Sequence, residues 1–128
     1  MPENPDPVLW RIMEDYRRAW ERQDAELLLS LFTEDATYHE NPFNEPLAGL
    51  EAIRAYWRRA VMTDQKDIRF RWRPVYSIGE EHAIEWEAQF LRRDPPQRVE
   101  LRGMMFLTLS GKRIARLREY WHKRETSA

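Results

Sequence analysis

A chain of 128 residues has room for one domain of ordinary size. It is 42% hydrophobic and 12% aromatic, with six Trp, so it can bury a real core, which excludes disorder; zero Cys excludes disulfides, thiolate metal sites and thiol chemistry. The 21 basic and 22 acidic residues leave a net charge of −1, so no global field draws a polyanion, and no apolar run approaches the ~20 residues that span a bilayer.

Met1 to Pro7 carries three Pro and reads as a flexible leader, without the basic start and apolar stretch of a secretory signal. A cytoplasmic protein is expected. Asp6-Pro7 has the chemistry of a helix start: an acid to cap free N–H groups, then a proline at the first helical position. Leu9, Ile12, Met13, Tyr16, Ala19 and Trp20 follow at helical spacing, which predicts a helix ending near Gln23. Asp24 can cap a second helix, Ala25 to Phe32. Ala36 to Glu40 is a short β-prone run, and Asn41 to Pro46 is loop. Gly49 opens a third helix, Leu50 to about Met62, with Ile53, Tyr56, Trp57, Ala60 and Val61 on one face. Asp64 to Asp67 is a polar break.

The period then changes from 3.6 to 2. Four strands are predicted: Ile68–Ile78, Ala83–Leu91, Val99–Leu109 and Ile114–His122, with turns at Asp94-Pro95-Pro96 and Ser110-Gly111-Lys112. Three helices followed by an antiparallel sheet make an α+β layer fold. One domain is expected over 8–124, with 125–128 as a tail.

Alternation divides the strands into two faces. The outer face carries Arg69, Arg71, Arg73, Glu85, Glu87, Glu100, Arg102, Arg116 and Arg118, a set suited to cross-strand ion pairs. Of the basic residues 18 are Arg, the side chain that pairs carboxylates in a plane. The inner face of the last strand must hold Ala115, Leu117, Glu119 and Trp121. Glu119 is therefore a carboxylate turned toward an apolar interior, where it must be paired, hydrogen-bonded or protonated. Tyr16, Tyr38 and Glu40 are the other polar groups expected inside. Their convergence on an aromatic space is the pattern of a ligand pocket; each alone is also explained by a satisfied core hydrogen bond.

The chain resembles the nuclear-transport-factor-2-like superfamily, in its SnoaL-like and ketosteroid-isomerase-like branch. The resemblance rests on Tyr16 through Asp24, Leu31-Phe32-Thr33-Glu34-Asp35-Ala36-Thr37, Pro46-Leu47-Ala48-Gly49-Leu50-Glu51-Ala52-Ile53, and Gly111-Lys112-Arg113-Ile114 followed by Glu119-Tyr120-Trp121. It implies a cone: a curved antiparallel sheet wrapped around three helices, with a pocket at the open end and homodimers formed through the outer sheet face. Outward Met104, Phe106 and Tyr120 suit such a contact. The resemblance carries an oxyanion-donating Tyr onto Tyr16. It carries a proton-moving carboxylate onto Glu40, or onto Asn41 if the alignment is anchored on Pro42. A second acid falls at Gly103 or Met104 and is absent. The arginine of epoxide-hydrolase-like relatives falls on Trp86, while Glu119 stands where pocket-bearing relatives place an acid.

The expected function is that of a small-molecule pocket protein, an isomerase or cyclase that needs no cofactor. Glu119 or Glu40 would move a proton next to a carbonyl, and Tyr16 would bind the developing enolate oxygen. Trp20, Tyr38, Trp57, Trp86, Met105 and Trp121 would line the substrate, a small apolar molecule, polycyclic or terpenoid. The alternative is a non-catalytic module that binds a ligand or a partner. His39 and His122 alternate outward and lack metal-ligand spacing, so no metal is expected. Arg69, Arg71 and Arg73 lie opposite Phe70 and Trp72, so no stacking face for nucleic acid is expected.

Overall fold

The computed structural model describes residues 6–127. Asp6 caps α1 (Pro7–Arg22): its Oδ1 accepts from the Val8 amide at 2.7 Å. The helix buries Leu9, Ile12, Met13, Tyr16, Ala19 and Trp20. It ends at Gln23, whose φ of 55° is left-handed. The Gln23 side-chain amide donates to the carbonyls of Val61 (2.9 Å) and Gln65 (2.7 Å), tying the end of α1 to two later segments. Asp24 caps α2 (Ala25–Ser30) through the Leu27 amide at 3.1 Å. Gly49, at φ 88°, opens α3 (Leu50–Trp57), and a π-helical turn continues it over Arg58–Thr63.

Six strands form one curved, unclosed sheet: β1 (Phe32–His39), β2 (Leu47–Ala48), β3 (Gln65–Ile78), β4 (Glu81–Arg92), β5 (Gln97–Ser110) and β6 (Arg113–Ser127). Their spatial order is β2-β1-β6-β5-β4-β3. The helices cover one face, and the apolar residues of the strands turn toward them. This is the cone that the family resemblance implies, with corrections. The sheet is mixed, because β1 runs parallel to β6, with Tyr38 opposite Leu117 and His39 opposite Arg118. Residues 40–112 lie between these two strands, so no hairpin forces them to be antiparallel. The second helix stops before Phe32, which opens β1. The last strand runs on to Ser127, so residues 125–127 belong to the sheet rather than to a tail. Of the leader expected over 1–7, residues 1–5 lie outside the described residues, and Asp6 and Pro7 form the helix start.

Gly103 faces Trp121 on β6 and Trp86 on β4. A Cβ built there would lie 2.2 Å from the Tyr120 carbonyl oxygen and 2.7 Å from the Trp121 Cβ. Only glycine permits this approach of β5 to β6. On the outer face, Arg71–Glu87 (3.0 Å) and Arg73–Glu85 (2.8 Å) are cross-strand ion pairs, as the arginine-rich alternation predicts.

Candidate functional site

Between the helices and the inner sheet face lies a cavity of about 200 Å³. Helix α1 brings Tyr16 and Trp20 to it, β1 brings Tyr38, α3 brings Tyr56 and Trp57, β4 brings Trp86, and β6 brings Glu119 and Trp121. Seven of the nine site residues expected from the sequence therefore line one space: Tyr16, Trp20, Tyr38, Trp57, Trp86, Glu119 and Trp121.

Two do not. Met105 turns inward as expected, but it is wholly buried in the packed core beside Ile84 and Glu119 and does not line the cavity. Glu40 is half-buried in a separate cleft beyond the end of β1, with Phe43, Met104 and Tyr120. The reason is local. The chain leaves β6 after His39 and turns over Asn41–Asn44, where the His39 ring nitrogen bonds the Asn44 carbonyl oxygen at 2.7 Å. Glu40 therefore no longer follows the strand's alternation. Glu119 lines both spaces and sits at their junction.

The electrostatics centre on Glu119, which is 6% exposed. Loss of water on burial is the main cause that pushes its carboxyl up to about 8; the Tyr38 hydroxyl, donating at 3.2 Å, opposes this, and the charge of Glu40 adds to it. Burial and then the Glu119 charge hold the phenols of Tyr16 and Tyr38 well above the usual tyrosine range. The same two causes raise Tyr56. At neutral pH the cluster is thus one largely protonated carboxyl among protonated phenols. No lining residue carries a firm charge at this end.

The opposite end is polar. Asp64, Gln65, Arg92 and Lys123 line it. Arg92 pairs with Asp64 at 3.7 Å and also with Glu125. Gln65 accepts the indole N–H of Trp20 at 2.8 Å. These residues escaped the sequence reading, which took Asp64–Asp67 for a break and ended the last strand at His122. Tyr56 was legible on the apolar face of α3 but not as a member of the polar cluster. Among the described residues no group of three or more His, Cys, Asp or Glu could hold a metal ion. Likewise, no helix among them is long and apolar enough to cross a membrane.

A curved sheet around three helices, with a buried acid in the hollow, defines the nuclear-transport-factor-2-like architecture. The SnoaL-like domain family model matches residues 13–117, and the chain belongs to that family. No curated protein matches the sequence. Among solved structures, a computationally designed 17-OHP binder has a TM-score of 0.79 at 20% identity, covering 93% of this chain and 97% of its own. RV0760c from Mycobacterium tuberculosis, in complex with estradiol-17beta-hemisuccinate, gives 0.79 at 17% identity, covering 93% and 99%. SalBIII, an epoxide hydrolase/cyclase-like enzyme in pyran ring formation in the polyether salinomycin, gives 0.76 at 20%, covering 88% and 89%. At these identities the likeness is one of fold.

Proposed function

We propose that the protein binds a small, apolar carbonyl compound in the cavity and that Glu119 moves a proton next to the carbonyl, with no cofactor. The observation that carries this reading is a carboxyl buried against a cavity and pushed up to about 8. That places its proton exchange near physiological pH, where a general base is most effective. Ionised Glu119 takes a proton from the carbon beside the carbonyl. The C–H electron pair moves onto the carbonyl oxygen, giving an enolate. The hydroxyl of Tyr16 hydrogen-bonds that oxygen, and Tyr38 orients the carboxylate. Glu119 then returns the proton to the same carbon or to a conjugated one. Glu40, outside the cavity, acts on Glu119 only through its charge.

The cavity sets the size of the ligand. A void of 150 Å³ accommodates benzene, and common ligand pockets measure 300–1,000 Å³. About 200 Å³ suits one ring with short substituents. The estradiol-17beta-hemisuccinate of the RV0760c complex exceeds it unless the polar end opens. A non-catalytic ligand-binding role is the second reading, supported by the same small, largely aromatic space. We also read the outer sheet face as a homodimer contact in a cytoplasmic protein. Half-buried Met104 and Phe106 adjoin exposed Tyr120, with the Phe106 and Tyr120 rings 6.0 Å apart.

The test is exchange of α-hydrogens for solvent deuterium in monocyclic aryl ketones such as 4-ethylacetophenone, followed by NMR. The expected result is exchange above the buffer rate that rises with pH to a plateau just above 8 and falls at least ~100-fold in Glu119→Gln. Equal exchange in both proteins would remove the catalytic reading and leave the binding one.

A further inference from the structure

The polar end of the cavity holds hydrogen-bond donors that the protein leaves unused. Gln65, 9% exposed, lines it from β3. An indole N–H can only donate, so the bond from Trp20 at 2.8 Å fixes which end of the Gln65 amide is oxygen and turns its NH2 group away from Trp20. That NH2 group has no hydrogen-bond partner among the described residues. It is not walled in either: Trp86 Nε1 is the one fully enclosed side-chain polar atom without a partner among those residues, so the Gln65 amide nitrogen meets open space. Arg92 lines the same end from β4. Its Nη1 donates to Gln97 at 3.1 Å and to Glu125, and its Nε stands 3.7 Å from Asp64, beyond hydrogen-bond range. The Nε–Nη2 edge of the guanidinium, an edge that takes a carboxylate in two parallel bonds, therefore makes no hydrogen bond among the described residues. Lys123 lines this end from β6 and has one ion pair, to Glu125 at 3.3 Å.

We propose that this end anchors a carboxylate, and that the ligand is a keto acid: one ring with a carbonyl at the Glu119 end and a carboxylate between Gln65, Arg92 and Lys123. The inference rests on the reading of the cavity as a ligand site and adds a charged end to its ligand. Charge supports it. Among the lining residues two cations stand against one firm anion, Asp64, while Glu119 is largely protonated at neutral pH. Glu125 pairs with both cations but does not line the cavity, and half-exposed pairs of this kind are worth little, so sharing the cations with a ligand costs little. The other end excludes a carboxylate. No cation lines it, and its polar groups are Tyr16, Tyr38, Tyr56 and Glu119, the last of which is an anion when it acts as a base. A keto acid therefore enters in one orientation, with its carbonyl beside the group that acts on it. The length agrees. Four residues of β6 separate Glu119 from Lys123, about 13 Å of strand, and both side chains line the cavity. One ring substituted at opposite ends, hydrogen-bonded at each, spans that distance.

The experiment uses a matched pair, 4-acetylbenzoate and 4-acetylbenzamide, which share a shape and differ in charge. Calorimetry gives the affinities, and proton–nitrogen NMR of the intact protein reports the Gln65 side-chain amide. At neutral pH and low salt the acid should bind about tenfold tighter than the amide, an advantage that shrinks as salt is added. The acid should also shift the Gln65 NH2 signals. Lys123→Gln alters a side chain that is 40% exposed, and it should cut the acid's advantage about threefold. Arg92→Lys keeps the charge but loses the fork, and it should remove most of that advantage. Equal affinities of acid and amide would overturn the carboxylate anchor and leave the cavity as a ligand site. An acid preference untouched by both substitutions would overturn it too, by placing the anion elsewhere. No binding of either compound at millimolar concentration would overturn both readings.

Discussion

Glu119 shows what a period of two can and cannot tell. Alternation along Ala115, Leu117, Glu119 and Trp121 places the acid inside, and the structure buries it. Its partner was not legible. Tyr38 comes within reach only because the parallel pairing of β1 with β6 sets it opposite Leu117, a contact that the sequence pattern does not mark. Glu40 misled because two-residue spacing holds only while a strand lasts, and β1 ends at His39. The raised carboxyl also has a consequence for stability. A folded value near 8 against an ordinary value of 4.5 means that the folded state holds a proton that the unfolded state releases between those pH values. Stability then falls as pH rises from about 4.5 to about 8, and the burial cost is absent below that window. Glu119→Gln keeps the shape and cannot ionise. Urea titrations should find it more stable than the parent protein by a few kcal/mol at pH 8, with the difference shrinking toward zero at pH 4. A difference independent of pH would mean that the carboxyl titrates normally.

At the scale of elements, strong periodic signals gave the right elements and weak boundaries. Helix α1 and strands β3 to β6 fall where the apolar spacing puts them. The end of α2 does not, because Leu31 and Phe32 fit a helical stripe equally well. Pairing decides against the helix: Phe32 lies opposite Ile114, whose amide donates to the Leu31 carbonyl at 2.7 Å. The two-residue β2 carries no readable period. The open edge of β3 is managed by α1. The Phe70 amide donates to Glu21 at 2.9 Å, and the Trp72 indole donates to Glu14 at 2.8 Å. Arg17 holds both acids in place, at 3.0 and 2.8 Å. These contacts cover backbone that would otherwise template pairing with another chain. Glu21→Ala should lower unfolding free energy by about 1–2 kcal/mol in urea titration, by orphaning a partly buried amide. A change below about 0.3 kcal/mol would show that water replaces the carboxylate.

For the whole molecule, the fold class was legible because two periods in sequence, 3.6 and then 2, leave few layer arrangements. The mixed sheet was not, since parallel pairing of β1 with β6 joins segments some eighty residues apart and leaves no local mark. The outer face follows the charge alternation, with an apolar break at Met104, Phe106 and Tyr120. If that break is a contact between copies, sedimentation velocity at micromolar concentration should give a dimer, and Tyr120→Glu should give a monomer with its cavity chemistry unchanged. A parent protein that sediments as a monomer would rule the contact out.

Arg92 is anchored on three sides, by Asp64 after the π-helical turn, by Gln97 on β5 and by Glu125 in the final stretch of β6. Widening the mouth for a bulkier guest means parting these pairs, and half-exposed ion pairs cost little to part and are weakened further by dissolved salt. The floor is different: the Trp86 indole stacked on the Phe70 ring and the wholly buried phenol of Tyr16 cannot yield without unpacking the core. The chamber thus has a stiff base and a yielding lip, so substitutions at a few charged rim positions would change its entrance while leaving the acid beneath in place.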